Sequence, residues 1–179
     1  MEFLPTELSG VLVVRPRVFT DLRGSFIKTF HAPMFAAAGL GEFVPQEEFY
    51  STSHRNVLRG MHFQTPPHTQ TRLVGCLTGS ILDVVVDLRK SSPTFGRAIC
   101  RELTAANREM LFISEGFAHG FLSLEDNSLV SYLAGRPHAP AADTGILWNS
   151  FGFAWPVNDP IMSDRDKGFP SFQNFTSPF

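Results

Sequence analysis

The stretch Ser80-Ile81-Leu82-Asp83-Val84-Val85-Val86-Asp87-Leu88 carries the clearest structural signal in the chain. It is rich in β-branched residues and follows Thr78-Gly79, a dipeptide suited to a tight turn, so it reads as a β-strand. Short segments of similar character recur on both sides. Upstream, residues 11–14, 17–19, 25–30, 49–53, 57–63 and 72–77 read as strands; downstream, residues 98–103, 109–113, 119–124 and 129–133 continue the series. A spacing of roughly 8–12 residues suits an antiparallel sandwich or barrel. The long helical patterns that a parallel βαβ architecture needs are missing. Residues 34–39, Ala-rich and stopped by Gly39 and Gly41, form one of the few helix candidates. From Ile146 onward the chain carries Trp148, Trp155 and four prolines, and reads as an irregular segment packed back on the barrel. The expectation is an all-β protein with one domain over residues 1–179.

Composition narrows the function classes. The 179 residues are 43% hydrophobic and 18% charged, the profile of a globular protein able to close a core without disulfides. Fifteen Lys and Arg face 17 Asp and Glu, so the basic field that marks a nucleic-acid binder is absent. No apolar run reaches the length of about 18 residues expected of a membrane span. No basic segment precedes an apolar one near the N-terminus, and Cys76 and Cys100 form no CxxC pair. A reduced cytoplasm is the expected setting, with neither nucleic acid nor membrane as partner. The chain has 18 Phe but only two Tyr, so each phenol invites a functional question.

His62 lies in Leu58-Arg59-Gly60-Met61-His62-Phe63-Gln64. On a regular strand, Arg59, Met61 and Phe63 face one way and Leu58, Gly60, His62 and Gln64 the other. His119 lies in Gly116-Phe117-Ala118-His119-Gly120-Phe121. A lone histidine is more often a satisfied core residue; two in glycine-bracketed apolar strands point about equally to a site. A metal reading fails on spacing, because His62 is followed by Phe63 and Gln64 rather than a second histidine, and no acid follows at the required interval. A metal-free pocket remains, with histidine as general base and Arg23, Arg59 and Arg72 as anion or oxyanion ligands. Tyr132, in Leu129-Val130-Ser131-Tyr132-Leu133, can donate a proton in a water-poor site. Asp166, from the charged run at residues 163–167, could return to orient His62. The plain reading of each is a core aromatic, a surface ion pair or a solvated charge run.

The ordered series Asp21-x-Arg23-Gly24-x-Phe26, Leu58-Arg59-Gly60-Met61-His62-Phe63-Gln64 and Arg72-Leu73-Val74 continues downstream. It runs through residues 83–89, Ser92-Pro93-Thr94-Phe95-Gly96 and residues 116–121, then Tyr132, Gly145-Ile146-Leu147-Trp148 and Ser163-x-x-Asp166. Each piece is weak alone; together, over almost the whole chain, they resemble the dTDP-4-dehydrorhamnose 3,5-epimerase family. The resemblance implies a cupin-type jelly-roll barrel working as a homodimer without metal or cofactor. It implies His62 as catalytic base, Asp166 as its orienting carboxylate and Tyr132 as general acid, with Arg72 where the family has an oxyanion-side lysine. It places Arg59 and His119 at the sugar-diphosphate site, and Arg23, Phe26 and Gln46 toward the nucleotide. The implied substrate is a nucleotide-diphosphate 4-keto deoxy sugar, inverted at C3, C5 or both. Alternatives are a CDP- or GDP-linked substrate inverted at one centre, and a non-catalytic sugar-nucleotide binder. Lys28, His138 and the stretch Gln46-Glu47-Glu48-Phe49-Tyr50-Ser51 depart from the family pattern.

Overall fold

A computed structural model describes residues 1–179. In chain order, β1 (Glu2–Pro5), β2 (Val11–Arg15), β3 (Val18–Asp21) and β4 (Gly24–Ile27) precede helix α1 (Ala32–Ala37). Then come β5 (Glu47–Ser53), β6 (Leu58–Gln64), β7 (Arg72–Thr78), β8 (Ser80–Asp87) and β9 (Ala98–Thr104). The series ends with β10 (Met110–Ile113), β11 (Phe117–Ser123), β12 (Ser128–Ala134), β13 (Asp143–Gly145), the single helical turn α2 (Asp164–Lys167) and a 3-10 turn at Phe172–Asn174.

The strands pair antiparallel into two sheets, ordered β1-β2-β10-β7-β12-β5 and β13-β6-β11-β8-β9, while β3 and β4 form a separate hairpin. Sequence neighbours repeatedly fall in opposite sheets, the crossing pattern of a cupin-type jelly roll. The main core lies between the sheets, where Val11, Val13, Val74, Leu111 and Val130 meet Ile81, Val85, Leu103 and Phe121. Burial of these side chains is the dominant force closing the barrel.

The layers explain why β8 reads as a continuous apolar run rather than an alternating one. It sits between β11 and β9 and is covered on both faces. Ile81 and Val85 point into the main core. Val84, Val86 and Leu88 join Met61, Phe63 and Ile146 in a second cluster, capped by Phe151, Phe153, Trp155, Phe172, Phe175 and Phe179 of the tail. The tail therefore packs back on the barrel as expected, but it is not wholly irregular. The turn α2 forms because the Ser163 hydroxyl accepts the Asp166 N–H at 3.1 Å, an N-cap that the charged run hid.

Other boundaries differ for local reasons. The strand read at residues 25–30 stops at Ile27, and Phe30 turns away to pack on Phe35 and Phe43. The helix begins two residues early, with a proline in its first turn, where the missing N–H costs nothing. Strands β1 and β13, of four and three residues, escape sequence reading because neither shows a full period of alternation.

Asp87 ends β8 and organises the turn that follows. Its carboxylate, completely buried, accepts hydrogen bonds from the Arg89 guanidinium at 2.7 and 2.9 Å and from the Ser92 and Thr94 hydroxyls, each at 2.6 Å. Burial opposes the charge, but these donors outweigh it and hold the carboxyl at about 2. That value lies below the unfolded one, so the stabilisation is complete above about pH 4 and is lost as pH falls through about 2. Asp87→Asn is expected to cost about 2 kcal/mol at neutral pH and to flatten the acid dependence of the urea midpoint in that window.

Candidate active site

A cavity of about 320 Å³ opens where β5 and β13 form the edges of the two sheets. The six-stranded sheet contributes Glu47, Phe49 and Ser51 from β5, Arg72 from β7 and Tyr132 from β12. The five-stranded sheet contributes Arg59 and His62 from β6, His119 from β11 and Asp143 from β13.

Regular alternation puts Arg59 and His62 on opposite faces of β6, and the structure corrects this reading. His62 pairs with His119, but Arg59 pairs with Phe121, so β6 carries one extra residue and its alternation slips. Both side chains consequently line the cavity. Gly60 makes the slip possible. Its φ of +143° favours glycine, and a Cβ there would lie 2.6 Å from the Gly120 Cα.

The bulge also feeds the site. The Gly60 N–H donates to Asp166 Oδ2 at 3.1 Å, while Asp166 Oδ1 lies 2.8 Å from His62 Nε2. Burial opposes the Asp166 charge, but the His62, Gly60 and Ser163 hydrogen bonds outweigh it and hold the carboxyl below the usual carboxylate range. An ionised carboxylate at Nε2 favours the tautomer with its proton there, leaving His62 Nδ1 as the free acceptor.

His119 has a carboxylate partner of its own. Its Nε2 lies 2.8 Å from Oδ2 of Asp83, which is completely buried on the inward face of β8; Asp83 Oδ1 has no partner. Burial raises the Asp83 carboxyl, with His119 acting against the shift. The Asp83 charge also bears on the phenol of Tyr132. Burial first, then the Asp83 charge, push that phenol far above its ordinary range, against the pull of Ser51, Arg72 and Arg59. Tyr132 thus rests protonated, a proton donor in a dry wall.

Neither cavity arginine has an ion-pair partner within the chain. Arg59 donates to the Ser53 hydroxyl at 3.0 Å and the Thr52 carbonyl at 3.1 Å. Arg72 donates only to Gln70 Oε1, at 3.1 and 2.9 Å, and burial works against its charge. Arg15, Arg23, Arg89 and Arg101, away from the cavity, all lie against carboxylates. Two arginines left without anions in one cavity are what an anionic ligand or a developing oxyanion requires. At the mouth, Glu47 Oε2 accepts the His138 N–H at 2.7 Å, and Asp143 Oδ2 meets His138 at 3.1 Å and Arg165 at 2.8 Å.

Six of the residues singled out in the sequence therefore converge: His62, His119, Arg59, Arg72 and Tyr132 line the cavity, and Asp166 stands behind His62. Three do not. Gln46 lines a larger neighbouring groove, which His138 shares with the cavity. Arg23 and Phe26 sit exposed on the β3–β4 hairpin, where Arg23 pairs with Asp21 at 2.6 Å. Sequence reading missed Phe49, Ser51, Gln70, Asp83 and Asp143; the alternation of β5, which turns residues 47, 49 and 51 to one side, could have found the first two. No three His, Cys, Asp or Glu side chains are grouped to hold a metal ion.

Comparison with known proteins agrees with this fold and identifies the family. The family model described as dTDP-4-dehydrorhamnose 3,5-epimerase matches residues 5–174. The chain is 42% identical over 170 residues to the dTDP-4-dehydrorhamnose 3,5-epimerase of Shigella flexneri, covering 93% of each. Its fold superposes with a TM-score of 0.92 on the enzyme of that name from Bacillus anthracis, solved with TDP and PPi bound; the two are 34% identical, with 96% and 99% of the chains covered. A 3'-monoepimerase from Streptomyces bikiniensis in complex with dTDP-quinovose gives a TM-score of 0.91 at 32% identity, with 96% and 88% covered.

Proposed function

The chain belongs to the dTDP-4-dehydrorhamnose 3,5-epimerase family, and from that premise we propose that its cavity inverts C3 and C5 of dTDP-4-keto-6-deoxyglucose. One observation carries the reading. A histidine held by a buried carboxylate and a protonated tyrosine enter one cavity from opposite sheets, beside an arginine with no anion of its own.

The chemistry follows from those groups. The C4 ketone acidifies the hydrogens on C3 and C5. His62 Nδ1 removes one of them, and the electron pair left on carbon moves into the carbonyl, giving an enolate. Arg72 stabilises the enolate oxygen in a pocket where charge interactions are strong. The electron pair then returns to carbon, which takes the Tyr132 proton on the face opposite the one His62 attacked. The tyrosinate regains a proton from solvent, and protonated His62 loses one to it. Asp166 fixes the imidazole and balances its charge while it holds the proton. Arg59 and His119 bind the sugar diphosphate.

We also propose a homodimer. The β3–β4 hairpin stands outside both sheets and exposes Phe19, Leu22 and Phe26 beside Arg23. An apolar hairpin of this kind suits docking on a second copy, where Arg23 and Phe26 would reach the nucleotide at the partner's cavity. A cytoplasmic setting agrees with the unpaired thiols Cys76 and Cys100.

Proton NMR in deuterium oxide tests the reaction. The expected result is loss of the C3 and C5 proton signals of dTDP-4-keto-6-deoxyglucose, with the epimerised sugar accumulating. Loss of one signal alone would reduce the reaction to one centre. Turnover of a CDP- or GDP-linked sugar in its place would change the nucleotide. Tight binding without exchange would leave a non-catalytic binder. The named relatives favour the dTDP-linked substrate over those alternatives.

A further inference from the structure

We propose that Phe49 is a positioning residue that holds Tyr132 in its proton-donating pose, and so sets how often a deprotonated sugar is inverted rather than returned unchanged. This rests on the epimerase reading above and assigns a role to a residue in a stretch that departs from the family pattern.

Phe49 lies on the edge strand β5 directly opposite Tyr132 of β12. Their rings stack nearly parallel and offset, with centroids 4.6 Å apart and planes 10° from parallel. His119 approaches the phenol from elsewhere, its ring centre 6.1 Å away and inclined at 70°. Phe49 belongs to none of the three core clusters and remains 38% exposed, although it lines the cavity. A phenylalanine serving only the core would be covered. This one spends one face on the phenol and leaves the rest at the open side of the site. Offset aromatic pairs resist reorientation of either ring, so the stack limits how far Tyr132 can swing.

The two fates of the enolate use different groups. Protonated His62 can exchange its proton with solvent and return a deuteron to the face it attacked, giving exchange with retention. Inversion needs the Tyr132 proton delivered to the opposite face, leaving tyrosinate, which solvent reprotonates. Loosening Tyr132 therefore slows inversion and spares exchange.

The test follows Phe49→Ala and Phe49→Tyr in deuterium oxide by NMR, reading deuterium uptake and inverted product together. In the alanine variant the ratio of inversion to exchange should fall about tenfold or more, as a misplaced catalytic group predicts; tyrosine, which keeps the stack, should restore it. Parallel loss of both, or an unchanged ratio, overturns the proposal. Where alanine unfolds the chain, Phe49→Leu keeps the bulk without the stack. A second reading needs no substrate. The chain has two tyrosines, so Tyr50→Phe leaves Tyr132 as the sole ring signal in protein labelled with ¹³C-tyrosine. Its ring flips should quicken when Phe49 is replaced, and equal flip rates would overturn the proposal. A wild-type protein silent on every sugar would instead defeat the epimerase reading, and the ring measurement keeps the two failures apart.

Discussion

His62→Ala is expected to abolish deuterium uptake at both C3 and C5, with kcat/KM falling about 10³-fold or more. The other cavity groups that could act as bases are engaged: Glu47 by the His138 N–H, and Asp143 by His138 and Arg165. His119 is tied to Asp83 at 2.8 Å and is 3% exposed, and Tyr132 rests protonated. Binding should survive the change, because Arg59 and Arg72 are anchored by Ser53, Thr52 and Gln70 rather than by His62. Calorimetry with a dTDP-sugar should therefore give a Kd within about threefold of wild type, the pattern of a group used in the reaction rather than in holding the ligand. The variant also leaves Asp166 buried with the Gly60 N–H and the Ser163 side chain as its remaining support. Its carboxyl should rise from its depressed position. The stabilisation from the depressed value is present above the ordinary carboxylate pKa and lost on acidification, so it should shrink and stability should fall by about 1–3 kcal/mol at neutral pH. A variant that still exchanged protons at a tenth of the wild-type rate would remove His62 from the role.

How much of this was legible in the sequence depended on whether the signal was local. β8 was legible because its apolar run reflects cover on both faces, and β7, β9 and β12 because their pattern persists over a full strand. Arg59 and His62 were legible as residue types but not as neighbours. Their convergence depends on a bulge at Gly60, and a bulge is set by the pairing strand, here by Gly120, where a side chain at residue 60 has no room. Asp166 was legible from the residues as one option beside a solvated charge run, and the resemblance favoured the first, since its partner lies more than a hundred residues away and the cap that aims it looks like solvated charge. Phe49 and Asp83 were invisible as site residues for opposite reasons. Phe49 was one of 18 phenylalanines, and Asp83 was an acid inside the strongest strand, with its meaning held by a histidine on β11. The hairpin residues Arg23 and Phe26 were legible as motif but lie outside this chain's own cavity, on a hairpin that joins neither sheet.

Arg72→Ala is expected to lower exchange and inversion together by about 10²–10³-fold, because in the proposed mechanism both routes pass through the same enolate, with the arginine as its oxyanion donor. Arg72 is the cavity cation with the least to do in the resting chain. Both its hydrogen bonds go to one amide oxygen, no carboxylate lies within ion-pair distance, and burial works against its charge. A guanidinium held that way costs free energy in the free protein, and an anion arriving in the cavity returns it. The return is larger for the enolate than for the neutral ketone, so the loss should fall mainly on kcat, with KM changing by about threefold or less. Arg72→Lys keeps the charge but gives up the planar fork that Gln70 engages through two N–H groups. Its shortfall should be about tenfold, with the proportion of exchange to inversion unchanged. A fall confined to KM in the alanine variant would instead make Arg72 a ligand for the diphosphate and shift oxyanion stabilisation to another donor in the cavity. The ratio of inversion to exchange separates this residue from Phe49: removing Arg72 should lower both rates at a constant ratio, and removing the stack should change the ratio.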